Sequence, residues 1–164
     1  MQPHLSVLAM GLVVLNACKS CSASPSDGEH HMIRSGPNRH WCIQVRDGVG
    51  HLGNKLILNR CQENDDGQRF KLDRISADAD SFFIRPKVNT DLCVSVRETE
   101  DHSWLRLEHC SVAIHDIWTF RDTGGATIHP WGDENLCVTN LGVRADQDDP
   151  IMLKTIEVAA EYDE

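Results

Sequence analysis

The chain has 164 residues, of which 40% are hydrophobic, and its 25 acidic residues exceed its 16 basic residues, so the net charge is −9. No run of Lys or Arg occurs, which argues against a nucleic-acid or anionic-membrane partner. Residues 30–164 amount to a single domain, since domains most often hold about 100 to 150 residues.

The N-terminus contains an apolar stretch over residues 5–15. It is too short to cross a bilayer, which takes about 20 apolar residues, and small residues follow it, as in signal peptides. We therefore predict a signal peptide over residues 1–23, a linker over residues 24–29, no membrane span, and secretion. An alternative is a lipid anchor, because the sequence Leu-Asn-Ala-Cys that ends at Cys18 resembles a bacterial lipoprotein box.

An ordered set of landmarks then occurs three times, with a period of about 45 residues. Each copy has an isoleucine nine residues before a cysteine, and a pair of apolar residues spaced by two follows later. The isoleucines are Ile33, Ile84 and Ile128, the cysteines are Cys42, Cys93 and Cys137, and the pairs are Leu56/Leu58, Leu105/Leu107 and Ile151/Leu153. Such a period indicates repeats in which no unit can bury its apolar face alone.

Within each copy the apolar residues alternate at the period of a β-strand, as in Ile43/Val45 and Val94/Val96. Turn residues rich in Gly, Asn and Asp separate these stretches, and no long helical period occurs. We therefore predict an all-β fold of three repeats, with about twelve short strands that close on themselves so that no sheet edge stays open.

The cysteines after residue 30 follow the same period. The repeat favours the disulfides Cys42 to Cys61 and Cys93 to Cys110, each of which closes the loop of one copy. Such bonds persist in oxidising compartments, in agreement with secretion. In the third copy an isoleucine stands where the second cysteine is expected, so Cys137 is expected to be unpaired.

The ordered set of Cys-x-x-Val, Leu-x-Leu-x-x-Cys and Gln-x-aromatic resembles the ricin B-type lectins. The first copy is especially similar, because Val-Arg-Asp-Gly at 45–48 and His-x-Gly-Asn at 51–54 match without a gap. The resemblance implies a β-trefoil over residues 30–164 and non-covalent binding of glycans, with galactose-type sugars as ligands. It also implies that Phe70 and Trp118 belong to the core.

In the first copy, period two places Gln44 on the strand face of Cys42 and Asn59 on that of Cys61, so a disulfide would draw Gln44 and Asn59 into one shallow pocket. The resemblance adds Gln68. It also implies an Asp at position 44 and an aromatic ring at position 59, so this pocket is partly degenerate.

The other two copies also depart from the expected site. The second copy is the more polar, and its candidates are Ser95, Arg106, Glu108 and His115. The candidates of the third copy are Thr139, Met152 and Lys154. Planar, bidentate groups such as those of Arg106 and Glu108 suit the adjacent hydroxyls of a sugar. Two loop tryptophans, Trp104 and Trp131, are expected to cap the core; the alternative is that they stack on a sugar outside the positions of the family.

Catalysis has little support in the sequence. No serine lies in a Gly-x-Ser-x-Gly context, no phosphate-binding glycine loop occurs, and His30 and His31 lack partners at zinc spacing. We therefore predict a monomeric, non-catalytic protein without a cofactor or a metal. The alternative function is a trefoil that has lost sugar binding and serves as a protein-interaction or inhibitor module.

Overall fold

The computed structural model describes residues 21–22, 29–35, 40–76, 80–111, 113–122, 126–140 and 146–156. In these ranges the regular elements are short β-strands and three 3-10 turns, which confirms the predicted all-β class. The strands are β1 (Cys21–Ser22), β2 (His30–His31), β3 (Arg34–Ser35), β4 (Trp41–Val45), β5 (Leu56–Arg60), β6 (Phe70–Arg74), β7 (Ser81–Pro86), β8 (Leu92–Ser95), β9 (Arg106–His109), β10 (Trp118–Asp122), β11 (Ala126–Pro130), β12 (Leu136–Asn140) and β13 (Ile151–Thr155). The 3-10 turns are Arg46–Gly48, Asp66–Gln68 and Ile114–Asp116. Among the described residues, no helix is long and apolar enough to cross a membrane.

Each repeat contributes one antiparallel hairpin, and the repeats cover residues 29–76, 80–122 and 126–156. The hairpins pair β4 with β5, β8 with β9, and β12 with β13. Equivalent landmark residues face each other in all three: Ile43 and Leu58, Val94 and Leu107, and Val138 and Leu153. The three leucines are almost completely buried, so the alternating apolar residues form the core face of every hairpin.

Backbone hydrogen bonds join the three hairpins in a cycle. One residue of each repeat donates its N–H to a leucine carbonyl of the next repeat: Gly53 to Leu107 at 2.7 Å, His102 to Leu153 at 2.9 Å, and Asp148 to Leu58 at 2.8 Å. The three donors share a left-handed backbone, with φ of 80°, 66° and 63°. This cycle relates the repeats by a pseudo-threefold rotation, as the prediction of a trefoil requires.

A five-stranded sheet in the order β11-β10-β7-β6-β2 connects the repeats through their first and last strands. The landmark isoleucines Ile33, Ile84 and Ile128 lie in or beside these strands and are at most 2% exposed. The aromatic residues Phe70 and Trp118 are fully buried, which agrees with their predicted place in the core. Burial of each side chain of this size stabilises the fold by about 1.5–3 kcal/mol.

Both predicted disulfides are present. Cys42 is bonded to Cys61 and Cys93 to Cys110, with 5.0 Å between the Cα atoms in each pair. Cross-links of this loop length stabilise a fold by about 3 kcal/mol each in the chain-entropy model.

The expectation that Cys137 is unpaired is wrong. Cys137 is buried in β12 and takes part in a disulfide, and its partner lies outside the residues whose side chains the structure describes. The repeat pattern could search for a partner only inside the same copy, where an isoleucine occupies that place.

The strand β1 lies within the stretch predicted to be a signal peptide. Its residues Cys21 and Ser22 pair with Ser35 and Arg34 of β3. The rest of that stretch, residues 1–20 and 23, lies outside the described residues, as does most of the predicted linker. The boundaries of the signal peptide and the linker therefore stay predictions.

A buried histidine in β11 makes the stability of the fold depend on pH. His129 is 3% exposed, and its Nδ1 donates to the Leu136 carbonyl at 2.7 Å, so its Nε2 accepts from the Thr127 hydroxyl at 2.7 Å. Burial lowers the pKa of His129, and the charge of Arg121 acts in the same direction, against the opposing effect of the Leu136 carbonyl. The folded protein therefore keeps this imidazole neutral.

We expect the free energy of unfolding to fall as the pH drops below about 6.5, the ordinary pKa of histidine in an unfolded chain. Below that value the unfolded state binds a proton that the folded state does not bind. The free energy of unfolding then changes by at most about 1.4 kcal/mol per pH unit for one group. Burial also lowers the pKa of His30, which adds to the slope. Urea unfolding between pH 5 and pH 7.5 measures how the free energy of unfolding depends on pH.

The variant His129→Gln should show a shallower pH slope than the wild type, because a glutamine does not titrate. His51 is exposed and provides the matched control. An equal loss of slope in His51→Gln, or an unchanged slope in His129→Gln, would contradict this assignment.

Candidate functional site

The predicted pocket of the first repeat is closed by hydrogen bonds between its own amides. Gln68 is fully buried, and its Nε2 donates to Gln44 Oε1 at 3.0 Å and to the Arg60 carbonyl at 2.7 Å. Its Oε1 accepts from the backbone N–H of Gln62 at 2.8 Å. The structure thus brings Gln44 and Gln68 together, as predicted, but Gln44 is only 9% exposed and both amides lie beneath the surface.

The 3-10 turn beside this pocket has a glycine, Gly67, in close contact with its neighbours. A Cβ atom on Gly67 would lie 3.0 Å from the Cα of Gly48 and 3.0 Å from Asp65 Oδ1. The Asp65 carboxylate accepts a hydrogen bond from the Gly67 N–H at 2.8 Å, which fixes the turn. A side chain at position 67 would therefore require these neighbours to shift.

Asn59 is the half-exposed member of the predicted first pocket. It faces Cys42 across the hairpin, and its Oδ1 accepts a hydrogen bond from the Arg60 N–H at 2.8 Å. Its Nδ2 end can therefore still serve a ligand, but an amide provides no ring on which a sugar could stack.

The second repeat presents two oppositely charged groups on one face of its hairpin. Arg106 Nε lies 2.8 Å from Glu108 Oε1, and the two side chains are 26% and 30% exposed. Both stand on the same hairpin face as Ser95 and Cys93, which oppose them across the strands. Ser95 is 3% exposed and its hydroxyl donates to the Val96 carbonyl, so it forms the floor of this pocket.

Asp116 is a structural residue of this pocket that sequence reasoning missed. Its Oδ2 accepts from the N–H and the hydroxyl of Ser111, at 2.8 Å and 2.6 Å, and it is 4% exposed. Gln68 takes the same place in the first repeat, since each accepts from the residue after the second cysteine and each precedes the buried aromatic by two. That spacing to Trp118 was the signal that could have found it.

The third repeat offers little to a ligand at the predicted positions. Thr139 and Met152 are buried. Lys154 is partly exposed, but its Nζ is bonded to His102 Nε2 of the second repeat at 3.0 Å. This pocket therefore departs furthest from the expected site.

The expectation that the loop tryptophans cap the core is wrong. Trp104 is 42% exposed and Trp131 is 49% exposed. The ammonium group of Lys55 lies 3.3 Å from the centroid of the Trp104 ring, which is a cation–π contact. Within the described part of the chain, no cluster of His, Cys, Asp or Glu could hold a metal ion.

Comparison with known proteins identifies the fold. The model of the ricin-type beta-trefoil lectin domain matches residues 29–160. Among solved structures, a mosquitocidal holotoxin has a TM-score of 0.69 at 11% identity, over 80% of this chain and 16% of that one. The designed threefold symmetric protein ThreeFoil has a TM-score of 0.66 at 12% identity, over 79% and 90% of the two chains.

The C-half of the earthworm R-type lectin, solved in complex with GalNAc, has a TM-score of 0.60 at 13% identity, over 77% of this chain and 88% of that one. No protein of curated function matches the chain in sequence. The protein spans only 16% of the holotoxin chain, so that likeness concerns one domain of a larger molecule. Because the family model covers most of the sequence, the chain belongs to the ricin-type β-trefoil lectin domain family.

Proposed function

We propose that this protein is a secreted, non-catalytic carbohydrate-binding protein whose sugar sites are partly degenerate. The observation that carries the proposal is the match of residues 29–160 to a lectin domain family. The earthworm lectin that shares the fold was solved with GalNAc, which supports galactose-type glycans as the ligand class.

The polar face of the second repeat is the best candidate for the sugar site. Adjacent sugar hydroxyls both donate and accept, so a guanidinium beside a carboxylate offers complementary partners in a fixed plane. The Arg106–Glu108 pair is about a quarter to a third exposed, and a pair of that kind stabilises a fold by only about 0–1 kcal/mol. The pair can therefore exchange part of its mutual contact for hydroxyl groups at little cost.

Gln68 has a positioning role in this proposal. It holds Gln44 and the Arg60 carbonyl at fixed places, while Asp116 does the same work for the second repeat through Ser111. Affinity per site is weak because no ring stacks at the predicted positions, and it increases when several sites bind one glycan surface.

Secretion is supported by the disulfides, which persist in oxidising compartments. A mature chain that begins after Ala23 lacks β1, whereas a chain that begins at Cys18 keeps it. N-terminal sequencing of the exported protein distinguishes these two starts, and mass spectrometry detects a lipid on Cys18.

The competing function is a protein-interaction or inhibitor module. The specific observation in its favour is the first-repeat pocket, where Gln44 and Gln68 bond to each other instead of facing outward. A glycan array on the folded full chain decides between the two functions. Binding to galactose-type glycans supports the lectin, and silence across the array supports the interaction module.

The variant Glu108→Gln should weaken binding of the best array glycan about 10-fold or more, because it removes a charge-assisted hydrogen bond to a hydroxyl. Isothermal titration measures the change. Asp73→Asn is a matched control, since Asp73 is also a carboxylate about 30% exposed and lies 2.8 Å from Arg85 Nε. Equal affinities for the two variants would show that the glycan binds away from the second-repeat pocket.

The variant Gln68→Ala should lower the free energy of unfolding by about 2 kcal/mol, because one buried and two part-buried polar groups lose their partner. Chemical denaturation measures this loss. Gln62→Ala is the control, since the side chain of Gln62 is exposed and only its backbone N–H takes part in the network. If Gln68→Ala is as stable as Gln62→Ala, the positioning role of Gln68 is contradicted.

A further inference from the structure

We propose that the loop over residues 97–104 forms a second carbohydrate site, in which the indole of Trp104 stacks on the apolar face of a neutral hexopyranose. This inference rests on the proposed lectin function but concerns a place outside the positions expected for the family. Its basis is a surface groove of about 360 Å³, which falls in the range of about 300–1,000 Å³ usual for ligand sites. The groove is lined by Arg97, Glu98, Glu100, His102, Ser103 and Trp104.

The aromatic side chain of this groove is partly accessible. Trp104 is 42% exposed and lines the groove. The ammonium group of Lys55 lies 3.3 Å from the ring centroid, and Lys55 is not part of the groove lining, so the proposal assigns the ring face opposite Lys55 to the sugar. An aromatic ring with apolar faces complements the C–H face of a sugar ring.

Polar groups suited to hydroxyls surround the ring without partners of their own. Within the described part of the chain, the side chains of Arg97, Glu98 and Glu100 make no hydrogen bond or ion pair. Two carboxylates can accept from hydroxyls, and one guanidinium can donate to them. A ligand therefore gains these contacts without breaking any contact in the protein.

The loop is held in one conformation from both sides. Lys154 Nζ donates to His102 Nε2 at 3.0 Å, and His102 Nδ1 donates to Asp101 Oδ2 at 2.8 Å, so the imidazole is fixed between two repeats. Asp101 in turn accepts from the Thr155 N–H at 2.8 Å, a bond that lowers the pKa of this carboxyl and keeps it ionised. At the other end of the loop, the Thr99 hydroxyl contacts His115 Nδ1 at 3.2 Å.

His102 also holds a left-handed backbone with φ of 66°, at the place where the first repeat has Gly53. Positive φ is uncommon for a non-glycine residue, and the hydrogen bond from the His102 N–H to the Leu153 carbonyl at 2.9 Å holds it here. The backbone of Trp104 is fixed as well, through a bridge to Met152 of the third repeat. A site that is already ordered loses less entropy when a ligand binds.

The charges of the groove specify a neutral sugar. The groove is lined by one guanidinium and two carboxylates, and this excess of carboxylates disfavours an acidic sugar. We therefore expect methyl β-galactopyranoside to bind more tightly than methyl β-galacturonoside.

The test is a titration of the 15N-labelled full chain with methyl β-galactopyranoside, followed through the indole N–H signals of its four tryptophans. The signals of Trp104 and Trp131 are assigned with the variants Trp104→Phe and Trp131→Phe. The Trp104 signal should shift with the sugar and less with the galacturonoside, while the signal of the buried Trp118 should stay fixed.

Affinity at this site, followed in the variants through the backbone amide signals of residues 97–103, should fall about 3- to 10-fold in Trp104→Ala. A similar factor is expected in Glu98→Gln, since each variant removes one stacked ring or one hydrogen bond. Trp131→Ala is the matched control, since Trp131 is as exposed but lies outside the groove. If the Trp104 signal does not shift, or if Trp104→Ala and Trp131→Ala bind the sugar with equal affinity, the proposal of a second site is overturned.

The variant Glu108→Gln separates this inference from the proposed function. If Glu108→Gln loses binding and Trp104→Ala keeps it, the second-repeat pocket is the sugar site and the groove is not. If the losses are reversed, the groove is the site and the pocket is not. If no galactoside or other array glycan binds the folded chain, both proposals fall together.

Discussion

The structure depends on the backbone cycle in which each hairpin donates an N–H to a carbonyl of the next. A single hairpin cannot bury its own leucine. Leu58, Leu107 and Leu153 are at most 1% exposed because the three hairpins pack against one another. The donors Gly53, His102 and Asp148 must adopt a left-handed backbone to make these bonds. A left-handed backbone costs little free energy for glycine and more for His102 and Asp148. The packing of the three hairpins offsets that strain.

The sequence predicts this architecture well because its determinants are local and are repeated. Period two fixes which residues face the core. A cysteine follows the Leu-x-Leu pair by three residues in two copies, which identifies Cys42–Cys61 and Cys93–Cys110 among the open connectivities. The same logic fails for Cys137, whose partner does not belong to the repeat pattern. A contact that occurs once leaves no periodic signal.

The candidate site was less predictable because side-chain direction depends on hydrogen-bond partners. The family resemblance placed Gln68 beside Gln44, where the structure has it. A buried amide must satisfy its donors and acceptors, and Gln68 does so through Gln44, the Arg60 carbonyl and the Gln62 N–H. The equivalence of Asp116 and Gln68 was hidden for a related reason. The feature that the two repeats share is an acceptor for a backbone N–H, and it is supplied by a glutamine in one and an aspartate in the other.

The positions that close the cycle show how such a fold can vary its surface. Lys55, Trp104 and Pro150 occupy equivalent places, and each makes a backbone bridge to the neighbouring repeat, with Arg106, Met152 and Ile57 respectively. Because the bridge uses only main-chain atoms, the side chain at each place is free to differ. A cation, an aromatic ring and a proline therefore stand at three symmetric points of one backbone, and the loop with the aromatic ring becomes a ligand groove while the core stays threefold.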